Sequence, residues 1–264
     1  MIFSLIGNPN CGKTTLFNSL TGSTSKTGNW PGVTVEKKEG KYKTHTIVDL
    51  PGIYSLSPYT PEEIVSRNYI LNEAPDCVIN IVDVTNLERN LYLTLQLLEM
   101  DVPVILALNM VDLAIKKGLE IDKSIIEKSL GIPVIEISAL KQDGLSELID
   151  LAVKTAGSIR HGRSFLKDSE IYTLANSIEK HSYFYAVKLL EGDHLISEMF
   201  PQQKQKIEEL TDKNKNYVES FANERYNFIS ENLTNAVRYS SVNKPSKSDK
   251  IDTVSYTHLT LPTI

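Results

Sequence analysis

Cysteine is scarce: Cys11 and Cys77 are the only two, and they form no Cys-x-x-Cys pair. A disulfide framework is therefore excluded, and a reducing, cytosolic setting is the simplest expectation. No stretch approaches the roughly 18–20 apolar residues that cross a bilayer, so these residues are not expected to span a membrane. The first residues, MIFSLIGNPN, lack a basic n-region and run straight into a motif, so no signal peptide is expected. Net basic charge is also missing. The formal charge of -5 argues against nucleic acid as the main partner, because duplex binders carry a basic face. His45, His161, His181, His194 and His258 show neither i, i+4 pairing nor metal-ligand spacing, and the cysteines read as packing residues, so iron is not expected to bind here.

What remains is ordinary globular material, 41% hydrophobic and 23% charged over 264 residues, enough for a full core and an appendage. Residues 1–160 alternate short apolar runs with helical spacing, which predicts an α/β domain with a mostly parallel sheet. Strands are expected at 2–6, 46–48, 77–82, 102–108 and 133–137, and helices at 12–20, 62–71, 88–99, 123–129 and 144–154. The charged segment 36–43 suits an antiparallel edge strand. A linker is expected at 156–167, where small and basic residues lose periodicity. Residues 168–240 then read as a small helical domain, with helices at 169–180, 184–190, 194–199 and 203–232. Residues 241–264 end in VSYTHLTLPTI, which continues nothing upstream and reads as a disordered, truncated or non-native tail.

The chemistry lies at strand ends. Gly7-Asn8-Pro9-Asn10-Cys11-Gly12-Lys13-Thr14 fits G-x-x-x-x-G-K-[ST] between a strand and a helix, the context that this P-loop motif requires. Its glycines let consecutive N–H groups face phosphates at a helix N-terminus. Residues 7–15, including Thr15, are thus expected to line the nucleotide, with Lys13 on the β- and γ-phosphates and the Thr14 hydroxyl on Mg²⁺. Asp49-Leu50-Pro51-Gly52 ends the next strand; Asp49 can hold the Mg²⁺ shell and the Gly52 N–H can sense a γ-phosphate. Asn109-Met110-Val111-Asp112 selects the base. Guanine offers two adjacent donors that one carboxylate accepts together, whereas adenine would leave a buried carboxylate unpaired. Asp112 is the expected guanine selector and Asn109 the brace, while Ser138-Ala139-Leu140 can offer N–H groups to the guanine O6. Thr34 lies where a mobile switch would lie and could complete the Mg²⁺ sphere when a γ-phosphate is present.

One absence bears on catalysis. Ile53 follows Gly52, where many GTPases of this type place a water-orienting glutamine. An aliphatic chain moves no proton, so turnover should be slow, or another group or cation must supply charge stabilisation.

With these residues assembled, the chain resembles the cytosolic N-terminal part of the ferrous iron transport protein B family (FeoB). The stretches that carry this are GNPNCGKTTLFNSLTG at 7–22, GNWPGVTVEKKEG at 28–40, VDLPGIYSLSPYTPEE at 48–63, NIVDVTNLERNLYLTLQLLE at 80–99 and NMVD at 109–112. Segment 168–240 stands where the family has a helical, nucleotide-dissociation-inhibitor-like domain, matching by position and texture. The resemblance implies GTP binding and hydrolysis at the cytoplasmic face of the inner membrane, coupled to Fe²⁺ uptake through a membrane domain that these residues lack. It also implies K⁺ activation, the ion held by Asn10 and by carbonyls of Gly28 and Trp30, in place of an arginine finger. Lys13, Asn10, Thr34 and Gly52 would then carry catalysis, and Trp30 would anchor the switch. Homo-oligomerisation is left open.

The rival reading is a soluble switch GTPase of ribosome assembly or RNA modification, which would usually append a basic domain. Residues 168–240 mix acids and bases without a basic stripe, and the charged stretch 202–215 reads as a solvated helix face. A third reading is a binding module that holds GTP and barely hydrolyses it.

Overall fold

Alternation with a period of two sorts the apolar residues of the central parallel strands onto two faces, and both are covered. In a computed structural model, which describes residues 1–22, 25–158, 165–211 and 215–239, seven strands form one sheet. They are β1 (Ile2–Gly7), β2 (Lys26–Asn29), β3 (Glu36–Tyr42), β4 (His45–Asp49), β5 (Cys77–Asp83), β6 (Val104–Asn109) and β8 (Val134–Glu136), in the order β2-β3-β4-β1-β5-β6-β8. β4, β1, β5, β6 and β8 are parallel, and β3 and β2 run antiparallel at one edge. Phe3, Leu5, Ile79, Ile81 and Ile105 point to α1 (Lys13–Thr21) and α6 (Leu145–Thr155). Ile6, Val78, Val82, Leu106 and Leu108 point the other way, into a core shared with α2 (Pro61–Glu73), α3 (Leu87–Leu98) and α5 (Lys123–Leu130).

That second core runs without a break into the helical part: α7 (Ser169–Ala175), α8 (Ser182–Leu190), α9 (His194–Met199), α10 (Lys204–Leu210) and α11 (Tyr217–Leu233). Phe184, Phe221 and Ile229 are fully or almost fully buried in it. Charge fastens the same seam. Arg225 of α11 is wholly buried and donates twice to Glu99, at 2.8 and 2.9 Å, and once to Glu191, at 3.1 Å. Lys188 reaches Glu191 at 2.6 Å, and Arg67 of α2 meets Asp193, the N-cap of α9, at 2.5 Å.

Most of the expected elements are present, with instructive differences. The segment 26–29, not read as a strand, pairs outside β3, so 36–42 is not the edge. The single helix expected at 203–232 is two helices, α10 and α11. The Asn216 side chain accepts the N–H of Glu219 and starts α11 afresh, since a short amide side chain caps a helix better than it continues one. The helix expected at 169–180 stops at Ala175, where the Ser177 hydroxyl donates to the Leu174 carbonyl. β7 (Leu119–Ile121) and β9 (Val237–Tyr239), also unread, form a separate antiparallel ribbon. Their three residues each are too few for a periodicity signal. The expected tail at 241–264 lies outside the described residues.

Burying Arg225 is tolerable only while it is paired. Arg225→Leu should leave the Glu99 carboxyl unpartnered in the core and cost about 3–5 kcal/mol, read as a fall in the urea midpoint. Adding Glu99→Leu should recover most of the loss. An unchanged midpoint in the single variant would refute this account of the seam.

Candidate functional site

The carboxyl ends of β1, β4, β6 and β8 open on one side of the sheet, where α/β folds hold ligands. After β1 the chain curls through residues 8–12 before entering α1. Asn10 has φ 67 and Gly12 φ 90, left-handed turns of the kind from which anion-binding nests of backbone N–H groups are built. Gly7 and Gly12 have no room for a side chain: a Cβ would lie 2.3 Å from the Ile81 carbonyl oxygen and 2.2 Å from Asn109 Nδ2, respectively. Lys13 Nζ donates to Asp49 Oδ1 at 2.5 Å, so the expected phosphate ligand and the expected Mg²⁺ ligand share one point in the cleft. Burial pushes the Asp49 carboxyl above its ordinary value, and the Lys13 ammonium opposes that shift. Thr14 and Thr15 are exposed beside them on the first turn of α1. An ammonium, a carboxylate and hydroxyls around a curled backbone are hard, oxygen-seeking donors and partners, which fits a phosphate chain with Mg²⁺.

Burial also raises the Cys11 thiol, to about 11, which keeps it neutral within the loop. Asn8 is almost fully buried there, and neither atom of its carboxamide has a partner among the described residues. Among the described residues, no group of three or more His, Cys, Asp and Glu could hold a metal ion.

The loop after β4 is bolted to the first. Ile53 N–H donates to the Gly7 carbonyl at 3.2 Å, and Gly52 packs against Pro9, whose Cα lies 3.4 Å from where a Cβ would be. Ile53 itself turns into the core. Sequence reasoning passed over the groups that hold the rest of this loop. Gln96 of α3 accepts the Leu56 N–H at 2.8 Å. Glu63 accepts from the Ser55 hydroxyl at 2.9 Å and closes a capping box with Thr60. The Thr60-x-x-Glu63 spacing was a readable signal for the second, but Gln96 sits on a uniformly buried helix face and gives none.

At the base end, Asn109 connects three segments: its Nδ2 donates to the Cys11 carbonyl at 2.8 Å, and its Oδ1 accepts the Ala139 N–H at 2.9 Å. Ser138 Oγ donates to Asp112 Oδ1 at 3.0 Å, which fixes that carboxylate's rotamer. Met110 has φ 67, and its Cε lies 3.7 Å from where a Gly12 Cβ would be. Of the three N–H groups expected to meet a base oxygen, that of Ser138 goes to the Asp143 carbonyl and that of Ala139 to Asn109. Leu140, 80% exposed, has the one N–H of the three without a partner among the described residues.

The first switch candidate stands apart. Residues 26–36 form a hairpin whose tip is closed by Trp30 N–H to the Val35 carbonyl, 2.9 Å, and Val33 N–H to the Trp30 carbonyl, 3.3 Å. Trp30 is buried edge-on against Tyr69 of α2, with ring centroids 5.3 Å apart, so it is a packed residue here. Thr34 is exposed at the tip and makes no hydrogen bond to another described residue. Lys13, Thr14, Asp49 and Gly52 are thus gathered around one loop, and Asn109, Asp112, Ser138 and Ala139 around another. Thr34 is not drawn to either, Gly28 of β2 is paired opposite Lys37 of β3, and the Trp30 carbonyl is already engaged.

The family model described as "Ferrous iron transport protein B" matches residues 1–152, more than half of the chain. The chain belongs to the FeoB family. A second model, the FeoB cytosolic helical domain, matches 168–238, so both parts of the fold carry the family pattern and the ribosome-assembly reading is not favoured. The chain is 42% identical over 210 residues to the Fe(2+) transporter FeoB of Escherichia coli K12, covering 73% of this chain and 27% of that one. It is 38% identical to an Fe(2+) transport protein A/Fe(2+) transporter FeoB fusion protein of Porphyromonas gingivalis, covering 94% and 33%. The chain therefore spans about a third or less of the length of the curated relatives it matches. Among solved structures, it is similar to a mutant of S. thermophilus NFeoB bound to GDP, with 40% identity, TM-score 0.83 and coverage of 90% of this chain and all of that one. It also resembles the cytosolic domain of L. pneumophila FeoB, with 37% identity, TM-score 0.80 and coverage of 90% and 100%. No helix among the described residues is long and apolar enough to cross a membrane.

The double role of Asn109 yields a direct expectation. Asn109→Ala should leave the Cys11 carbonyl and the Ala139 N–H buried and unpaired, at about 1–3 kcal/mol for each. Equilibrium urea denaturation would reveal it; a variant as stable as the parent would show that the brace carries no strain-free pairing of consequence.

Proposed function

We propose that this chain binds and hydrolyses GTP as the cytosolic switch of a ferrous iron transporter, at the cytoplasmic face of the membrane, and regulates Fe²⁺ uptake by a membrane domain beyond these residues. Residues 1–160 form the nucleotide domain, 168–240 the nucleotide-dissociation-inhibitor-like helical domain, and 241–264 a tail. The observation that carries the reading is the pair of loops braced by Asn109, one with Lys13 beside Asp49 and the other with Asp112 held by Ser138. The GDP bound to the S. thermophilus relative supports it.

In this reading residues 7–15 cradle the phosphates, and Lys13 exchanges its partner Asp49 for the β- and γ-oxygens. Thr14, Asp49 and Thr34 would hold Mg²⁺, which neutralises phosphate charge when bound. Thr34 must travel to do so. The tip of the 26–36 hairpin opens, at the cost of its two closing hydrogen bonds, about 0.5–1.5 kcal/mol each. The same opening frees the Trp30 carbonyl, which with the Gly28 carbonyl and the Asn10 side chain could hold K⁺. The γ-phosphate thereby orders 23–36 and 50–60, and Gly52 reports it to α2. Asp112 accepts both guanine donors, and Leu140 offers its free N–H to the O6.

The deciding experiment is GTP turnover in KCl against NaCl, with ATP as control. Turnover should be faster in K⁺ and lose that advantage in Asn10→Ala; equal, negligible turnover in both salts would make the chain a passive binding switch. Separately, Asp112→Asn should weaken GTP binding by at least about tenfold, through loss of a charge-assisted pair, and admit xanthosine nucleotides. GTP affinity that survives the substitution would remove Asp112 from the base site.

A further inference from the structure

The loops 109–112 and 138–140 are joined by residues 113–137, and the C-terminal arm of the helical domain grips that connection at three points. β9 pairs with β7, setting Leu119 opposite Tyr239, Glu120 opposite Arg238 and Ile121 opposite Val237. Just beyond, Asp122 N–H donates to the Ala236 carbonyl at 2.7 Å. On α5, the Ser129 hydroxyl donates to the Asn232 carbonyl at 3.4 Å. The connection transmits force well because it is short and stiff. α4 (Val111–Lys116) carries Asp112 in its first turn, and only Lys117 and Gly118 separate it from β7. Both of those residues are tied back, Lys117 N–H to the Leu113 carbonyl and Gly118 N–H to the Ile115 carbonyl, each at 3.0 Å. A shift of β7 is therefore a shift of the helix that aims Asp112. At the other end, α5 leads through Gly131–Pro133 into β8 and on to Ser138, the residue that fixes the Asp112 rotamer.

We infer that β9, through residues Val237–Tyr239, positions the guanine-recognition carboxylate, so that its pairing with β7 sets how long guanine nucleotide is retained. The inference rests on the reading of Asp112 as guanine selector. β9 touches no nucleotide; it acts by holding β7, and hence α4, in register. The ribbon reaches the base side by a route that leaves the phosphate loops alone. By linkage the coupling is reciprocal, so guanine binding stiffens the ribbon.

Two variants of the full chain push the ribbon in opposite directions. Val237→Gly removes a half-buried side chain and loosens β9. Glu120→Cys with Arg238→Cys places two thiols on directly opposed residues, whose Cβ atoms in an antiparallel pair lie about 4.5–5.5 Å apart, close enough for a disulfide after slight adjustment. Release of fluorescently labelled GDP and IDP is then timed. IDP lacks the 2-amino donor and so makes only part of the contact with Asp112. Val237→Gly should speed GDP release about fivefold or more and IDP release less. The oxidised double variant should slow GDP release, with dithiothreitol reversing the effect. Equal acceleration of GDP and IDP would mark a merely structural loosening and overturn the inference, as would GDP release unchanged in both variants. If the unsubstituted chain released IDP no faster than GDP, the Asp112 reading would fall, and this inference with it.

Discussion

Everything in the cleft depends on one carboxamide. Asn109 sits at the end of a strand buried on both faces, and its amide faces a backbone acceptor from the P-loop on one side and a backbone donor from the 138–140 loop on the other. Each of those loops is irregular and polar, and irregular backbone inside a protein is stable only when its N–H and C=O groups find partners. Asn109 supplies a donor and an acceptor from one rigid strand, so the phosphate end and the base end are set at a fixed spacing. The left-handed turn at Gly12 follows from the same contact, since Asn109 occupies the space a side chain would need.

Around that fixed cleft, the helical part closes on the surface formed by α2 and α3. Apolar burial supplies most of its attachment, and the buried charges supply its register. A guanidinium such as Arg225 tolerates only an arrangement in which its fork meets a carboxylate edge, so the Glu99 contact selects one docking geometry among many of similar apolar area. Arg67 makes the equivalent choice for α2, which follows directly on the loop packed against the P-loop. The helical part thus touches the phosphate side through α2 and the base side through β7, two separate contacts.

The sequence made the cleft legible because its chemistry is local: each motif is contiguous and ends a strand whose apolar run announces it. Lys13 pairs with Asp49 at one loop, and Ser138 with Asp112 at the other. What was not legible is long-range or short. Arg67 and Asp193 are 126 residues apart, and neither looks different from a surface charge until the helices pack. β7 and β9 have three residues each, too brief to show a period of two, and their pairing is decided by where α11 ends. Trp30 read as a switch anchor on resemblance, yet its ring is packed against Tyr69, because an indole buries more area than a hairpin tip can leave exposed.

Ile53 shows how far a residue's absence can be read. A missing glutamine raises the question of which group orients water, and the fold explains why the position is aliphatic. The Ile53 N–H is pinned to the Gly7 carbonyl, and the side chain is 2% exposed, inside the core beneath α2. A glutamine on that backbone would bury its amide in the apolar core, at the cost of desolvating it. The loop is therefore built for attachment to the P-loop instead of proton or water handling. Any charge stabilisation at the phosphates would therefore have to come from a group other than the side chain at position 53.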